Sequence, residues 1–379
     1  MNRLQSQALS SGLKINKPLA PEAFWPLTFE KYITVNTFGK YSSRNYLYFT
    51  EVINIIQPYL KENNIHVVQV GTADDPPIHA NIFGLNGVLS IPQSNYVIKN
   101  SSLHFGCDGF LNHAASSYDV PLVALYGDTL SSQAKPLWGN SKTQIHIDGS
   151  RGKIPSYAQS DGESQNINSI KPETAGKAIL KLLNIKNNLN KYKTNFIGNM
   201  YHTPVVDIVP DYNPTSFPPN VQLNIRADYR FHLPFLQAWL QSRNNSLLTM
   251  NSEIPLQIIT PYRKNLKQIN LEIDLDASEE YIDNLLSLGV PVNLICKDKE
   301  NIKSIRLKFI NHMVHDTSPK KPPSKISKNI KNFKIKSSKE LFSQGKSFPS
   351  KYHFYKSLNI DNLQYLWEDL DHLIFYSKK

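Results

Sequence analysis

Short runs of β-branched and aromatic residues alternate with amphipathic stretches from Lys31 to Ile185, and this alternation restricts the fold more than any other feature of the chain. YITVNTF (32–38) and HVVQVGT (66–72) read as strands. Between them, NYLYFTEVINIIQPYLKENN (45–64) sets Phe49, Val52, Ile53, Ile56 and Leu60 on one helical face. VLSI (88–91), SLHFGC (102–107) and PLVALYG (121–127) read as further strands. A helix starts near Asn112, and ETAGKAILKLLNI (173–185) closes the unit as an amphipathic helix. Strands separated by helices form a parallel sheet with helices on both faces, so the expected class is α/β, a Rossmann-type doubly wound parallel sheet.

The polar, Asn-rich KNNLNKYKTN (186–195) marks a boundary. Beyond it PVVDIVP (204–210), NVQLNIRADY (220–229), PLQIITPY (255–262), INLEIDL (269–275) and VPVNLIC (290–296) read as strands, with helices at 232–242 and 278–289. Ser278 suits the cap of the second helix, with Glu279 and Glu280 in its first turn. The expected organisation is an extension over residues 1–30, a nucleotide-binding domain over 31–187, a second smaller α/β domain over 196–316, a Lys-rich linker over 317–351, and a C-terminal helical segment over 352–379, its helix read from NLQYLWEDLDHLIFY (362–376).

The chain of 379 residues carries 42 Lys and Arg against 31 Asp and Glu, a net charge of +11. The excess is local: Ser318 to Lys351 holds ten Lys and one acid, Glu340. Such a block reads as a solvated linker, or as a contact for an anionic partner such as nucleic acid (through Lys320–Lys351) or a membrane face. Two cysteines, Cys107 and Cys296, exclude a disulfide scaffold and a four-thiolate zinc site and fit a reducing compartment. No apolar run reaches about 18 residues and the N-terminus lacks a signal-peptide core, so a cytoplasmic location is expected. No His, Cys and carboxylate grouping has metal-ligand spacing, and neither a Walker A sequence nor G-x-G-x-x-G occurs, so neither a metal nor a tightly held cofactor is expected.

Chemistry concentrates in SLHFGCDGFLNHAASSYDVPLVALYGDT (102–129). A strand ends near Gly106, the chain turns through Cys107, Asp108 and Gly109, and a helix begins. Ligands of open α/β sheets bind at the carboxyl ends of the strands, and a helix N-terminus there offers backbone N–H groups to a diphosphate. A second strand delivers Gly127, Asp128 and Thr129 to the same edge. Asp108 also has a plain structural reading as a helix cap, His113 as a buried hydrogen-bonded histidine, and Cys107 as a small buried residue.

These residues resemble the C-terminal half of glycosyltransferase family 9, the ADP-heptose:lipopolysaccharide heptosyltransferases. The matching set is Asp108, His113 five residues on, the small residues Ala114 and Ala115, Pro121, and Gly127 with Thr129. The strand VVQVG (67–71) followed by Asp74 and Asp75 resembles the family's ribose-binding loop, with Asp75 the nearer match. Arg44 in YSSRNY stands where the family has a phosphate-binding Lys, with Tyr46 in place of its Trp. The resemblance implies a GT-B-like, inverting, metal-independent glycosyltransferase with a nucleotide-diphosphate sugar as co-substrate and no other cofactor. It implies a donor site at Arg44, Asp75, Asp108, Gly109, His113, Gly127 and Thr129, and an acceptor that is a lipopolysaccharide-core sugar or another surface glycan.

The chain departs from the family at Phe110, where a Gly is usual, and residues 1–30 alone precede the match in this sequence, where the family has its acceptor-binding half. That half would come from residues 196–316 or from a partner chain or homo-oligomer. In the second domain, Asp207, Asp211 and Asp228 lie near expected strand ends, and Glu272, Asp274 and Asp276 alternate on one strand face; no catalytic residue is assigned among them. Two alternatives stand beside the glycan transferase: the same chemistry on a modified nucleic-acid base, and a glycosyltransferase-like module that binds without catalysis.

Overall fold

The computed structural model describes residues 1–37, 42–149, 166–198, 205–219, 221–318, 326, 333–337, 339–360, 367 and 373–378. The chain divides into two units, Met1–Thr194 and Asn195–Lys378, each with its own sheet and core.

The first unit opens with α1 (Arg3–Ser11), whose Asn2 cap forms a reciprocal capping box with Gln5 and whose Asn2 amide also donates to the Lys135 carbonyl at 2.8 Å. The extension is therefore tied down, and its Trp25, Leu27 and Phe29 pack on the core. Then follow β1 (Tyr32–Asn36), α2 (Phe49–Glu62), β2 (His66–Gln69), β3 (Phe83–Gly84), α3 (Ile91–Lys99), β4 (Leu103–Cys107), α4 (Phe110–Ser117), β5 (Leu122–Tyr126), α5 (Ser131–Ala134), β6 (Gln144–Asp148) and α6 (Pro172–Leu182). All six strands are parallel, in the order β3-β2-β1-β4-β5-β6. β1, β4 and β5 are buried along their whole length, which explains their near-continuous apolar sequences. Connections leave β1 in one direction and β4 in the other, so right-handed crossovers put α2 and α4 on opposite faces; α2 packs with α6, and α3 with α4. This is the doubly wound sheet expected.

Two local readings change. VLSI is not a strand: Ser90 caps α3 through a box with Gln93, and Pro92 sits in its first turn. A four-residue apolar run has no period that separates strand from helix entry. The half-buried edge strand β6, QIHID, has too little apolar contrast to stand out.

The second unit begins within β7 (Tyr192–Ile197). It continues with β8 (Val205–Ile208), β9 (Gln222–Arg226), α7 (Leu233–Ser242), β10 (Ser246–Met250), α8 (Leu256–Ile259), β11 (Leu266–Glu272), α9 (Glu279–Leu286), β12 (Val292–Cys296), α10 (Ile302–Lys308) and β13 (Val314–Asp316). After these come β14 (Phe333–Ser337), β15 (Glu340–Ser343), β16 (Lys346–Phe348), α11 (Lys351–Ser357) and β17 (Leu373–Lys378). Its main sheet has eight strands, in the order β13-β12-β11-β10-β9-β8-β15-β16, more than the first sheet has, although the unit itself spans fewer residues.

From β8 to β13 each strand lies beside its predecessor, always in the same direction. Right-handed crossovers then place every helix on one face. The core agrees: Leu223, Ile225, Leu248, Met250, Ile269, Leu271, Leu294 and Cys296 join Leu236, Trp239, Ile282, Leu285, Ile302 and Ile305 in a single cluster. The residues between them face the other way and are polar. Asn224 donates to Asp207 at 2.8 Å and accepts from Thr249 at 2.8 Å. Asn270 donates to Thr249 at 3.2 Å, and Asn293 to Asn270 at 3.2 Å. Five strands are thus linked by a polarised row of hydrogen bonds ending on the Asp207 carboxylate.

Three expectations are corrected here. PLQIITPY is helical, α8 plus a 3₁₀ turn over Thr260–Asn265, because Pro255 and Pro261 favour helix starts and deny a central strand its N–H groups; SLLTM supplies the strand instead. The Lys-rich linker carries β14, β15 and β16, with β15 parallel to β8 and a hairpin through Gln344 and Gly345, both at positive φ. Of the expected C-terminal helix over 362–376, the described part at 373–376 lies in β17, antiparallel to β14; apart from Trp367 the rest lies outside the described residues. Tertiary pairing outweighs a helical pattern in a run as β-prone as LIFY.

Candidate functional site

The strand order of the first unit reverses between β1 and β4, and the carboxyl ends of strands at such a reversal are where open α/β sheets bind ligands. Asp108 follows β4 directly, with its backbone N–H donating to the Leu125 carbonyl at 2.9 Å. Asp128 and Thr129 follow β5, and Arg44 ends a 3₁₀ turn, Ser42–Arg44, that precedes α2. These segments meet because of Gly127. A Cβ there would lie 2.6 Å from the Ser43 carbonyl oxygen and 2.6 Å from the Ile167 Cβ, so only glycine lets the exit of β5 press against the Ser42–Arg44 backbone.

Arg44 donates through Nε to Asp128 Oδ2 at 2.8 Å, and its Nη1 lies 3.6 Å from Asp108 Oδ2. The Thr129 hydroxyl reaches Asp108 Oδ2 and Asp128 Oδ1, each at 3.3 Å. Burial raises the Asp108 pKa above the usual carboxylate range; Arg44 pulls it down, Asp128 pushes it up, and His113 and Thr129 lower it. Burial lowers the His113 pKa, against the pull of Asp108. Two carboxylates around one guanidinium leave this cluster with a formal surplus of negative charge when both are ionised.

The sequence-derived set thus divides. Arg44, Asp108, His113 and Thr129 come together, and Gly127 is what allows it. Gly109 is the N-cap of α4 with an extended backbone (φ −175°), and a Cβ there would meet only the Cys107 carbonyl at 3.6 Å, so packing does not demand glycine. No side chain caps α4, so Asp108 does not act as its cap. Asp75 is buried on the other side of β1: Asn36 Nδ2 donates to its Oδ2 at 3.1 Å and the Thr72 hydroxyl to its Oδ1 at 2.5 Å. Its carboxylate lies over Gly71, where a Cβ would clash. Burial raises the Asp75 pKa. The Cys107 thiol is fully buried and pushed up to about 12, an inert group.

The sequence brings Asp128 to the edge of the site without counting it in the donor-binding set, and passes over Asn36 and Thr72. Asp128 had a signal: an acid directly after a fully buried strand requires a partner. Asn36 and Thr72 had none beyond their places next to strand ends.

The acids singled out in the second unit are occupied by structure. Asp207 accepts from Asn224 and from Arg226 Nη1 at 3.0 Å, and Asp228 accepts from Arg226 Nε at 2.7 Å and Nη2 at 2.6 Å. Asp211 accepts from Arg230 Nε at 2.8 Å, the Ser343 hydroxyl at 2.6 Å and the Gln344 N–H at 2.8 Å. Glu272 pairs with Lys297 at 2.7 Å, whereas Asp274 and Asp276 lie past the end of β11, beside a cavity of about 190 Å³ that Glu253 also lines. Of the basic segment, Lys339 and Lys351 are buried, with Lys351 over the Tyr229 ring at 4.6 Å; Lys320 and Lys321 lie outside the described residues. Among the described residues no group of three or more His, Cys, Asp or Glu has a metal-holding arrangement, and no helix is long and apolar enough to cross a membrane.

Residues 50–163 match the sequence model of glycosyltransferase family 9 (heptosyltransferase). Among solved structures the chain is similar to a family 9 glycosyl transferase from Veillonella parvula (18% identity, 48% of this chain and 51% of that one, TM-score 0.35). It is also similar to ADP-heptose lipopolysaccharide heptosyltransferase II of E. coli (17%, 48% and 51%, 0.33). A third is TibC, an iron-containing dodecameric glycosyltransferase of enterotoxigenic E. coli (12%, 43% and 47%, 0.34). The chain spans about half the length of these structures. No curated protein is a significant match.

Proposed function

We propose that the chain is a glycosyltransferase that takes a nucleoside-diphosphate sugar at the carboxyl edge of the six-stranded sheet and passes the sugar to a glycan hydroxyl. One observation carries this reading. The segment matching glycosyltransferase family 9 contains Asp108, His113, Gly127 and Thr129, and Asp108 and Thr129 join Arg44 at the strand-order reversal, where α/β sheets bind ligands.

In the inverting reaction the acceptor oxygen attacks the anomeric carbon. The bond from that carbon to the diphosphate oxygen breaks, the acceptor proton passes to a general base, and the diphosphate leaves carrying the electron pair. Charge develops on the leaving oxygen. The unsatisfied N–H groups at the start of α4 and the Arg44 guanidinium are the groups suited to it. Asp108 suits a hydroxyl of the donor better than a phosphate, because a carboxylate repels the diphosphate. The base would come from the acceptor side of the reaction. Heptosyltransferase-like chemistry makes an ADP-heptose the first donor to try and a lipopolysaccharide-core sugar the first acceptor.

The test is release of nucleoside diphosphate from a panel of ADP-, UDP- and GDP-sugars, with and without core-oligosaccharide acceptors. Acceptor-dependent release from one donor, abolished by Asp108→Ala, is expected. Donor binding with no release under any condition would move the reading to a non-catalytic module, and release equal in the variant would end the assignment of Asp108.

A further inference from the structure

We propose that Asp128 is a positioning residue for the donor site, holding the Arg44 guanidinium beside Asp108. The proposal rests on the transferase reading for its consequence in binding, but not for its geometry.

The backbone fixes the pair. Gly127 and Ser43 are in van der Waals contact because no Cβ intervenes, and Asp128 and Arg44 are the residues that follow each of them. The two charged side chains therefore start from a common contact point and are almost wholly buried, with side-chain exposures of 3% for Asp128 and 17% for Arg44. Asp128 takes the Nε edge of the guanidinium, the edge nearest the chain. A long side chain held there cannot swing about its terminal bonds, so Nη1 stays on the Asp108 side. Thr129 ties the arrangement from below by touching both carboxylates. Without Asp128 the nearest carboxylate for Arg44 in this cluster is Asp108 itself, and a direct pair there would occupy the group that the ligand needs.

The arrangement has an electrostatic consequence at Asp108. The groups acting on Asp108 are Arg44 from the 3₁₀ turn, Asp128 and Thr129 from the loop after β5, and His113 from α4; Tyr126 of β5 and Cys107 of β4 are also within electrostatic reach. Asp128→Asn keeps the shape, removes a like charge and frees Arg44 to turn to Asp108, so the Asp108 titration midpoint moves to lower pH. Arg44→Met removes the cation, so the midpoint moves to higher pH. The Asp108 carboxyl carbon resonance, identified by its loss in Asp108→Asn, reports this on the full chain without any ligand. Opposite shifts in the two variants are expected, and an unmoved midpoint in Asp128→Asn overturns the proposal.

The second readout is binding of ADP, UDP and GDP by calorimetry. Asp128→Asn should weaken the best of them by about tenfold, as loss of a charge-assisted contact does, while Asp128→Glu keeps most of the affinity. In the Arg44→Met background, Asp128→Asn should add little, because the two act as one unit. Equal losses in both backgrounds would contradict the proposal. If wild type binds no nucleotide, the transferase reading fails while the titration still decides the role of Asp128. If Asp128→Asn does not fold, Asp128→Ser removes the same charge with a smaller side chain and is read against Arg44→Met in the same way.

Discussion

The Asp211 carboxylate accepts the backbone N–H of Gln344 at 2.8 Å, joining positions 133 residues apart in the chain. It also holds the Ser343 hydroxyl and the Arg230 guanidinium. Through these contacts the β15–β16 hairpin, cut from a basic and apparently linker-like stretch, becomes the far edge of an otherwise parallel sheet. Asp211→Ala would leave Arg230 and the hairpin N–H without their acceptor and should destabilise the second unit by about 3 kcal/mol. Urea denaturation measures the loss, and limited proteolysis should cut first at residues 340–348.

The row of hydrogen bonds across β8 to β12 gives a graded expectation. Thr249→Val removes a donor from Asn224, which is buried, and should cost about 1–2 kcal/mol. Asn270→Ala breaks more bonds, but its partner Asn293 is half exposed and can be rehydrated, so its cost should be smaller. Thermal denaturation of the two variants ranks them directly.

Gly127→Ala sets a methyl group against the Ser43 carbonyl and Ile167, both fixed by neighbouring structure. Overpacking of this kind should cost about 2 kcal/mol and spread Arg44 from Asp128. Donor binding should fall with stability, whereas Gly109→Ala, which meets nothing closer than 3.6 Å, should leave the melting temperature almost unchanged.

Acid should weaken the first unit through His104. The ring is fully buried, with Nδ1 3.0 Å from the Thr34 hydroxyl, and burial lowers its pKa to about 3. A histidine whose folded pKa lies below its unfolded value near 6.5 contributes stability above pH 6.5 and loses it as the pH falls toward 3. Between pH 6.5 and pH 4 the unfolded chain takes up a proton that the folded one refuses, a loss of about 3 kcal/mol. His104→Gln should flatten that part of the stability–pH curve, whatever it costs at pH 7, as measured by urea denaturation at pH 7 and pH 4.

Much of the first unit could be read from its sequence, because its strands are buried on both faces and α2 displays an unbroken helical stripe from Phe49 to Leu60. The second unit was harder to read. Its sheet packs apolar residues on one face and a row of polar ones on the other, so strands such as SLLTM and VNLIC mix apolar and polar residues, and the late strands β14, β15 and β17 are specified by partners distant in sequence. At the site, Asp108, His113, Gly127 and Thr129 announced themselves by spacing. Asp128 did not, since its meaning lies in Arg44, 84 residues earlier.

The measurement closest to the central claim is a calorimetric titration of the full chain with ADP-, UDP- and GDP-sugars, wild type against Asp108→Ala. The account predicts saturable binding of one nucleotide sugar by wild type and its loss in the variant, with both proteins folded by circular dichroism. Absence of binding to every donor, or binding unchanged in Asp108→Ala, would contradict it.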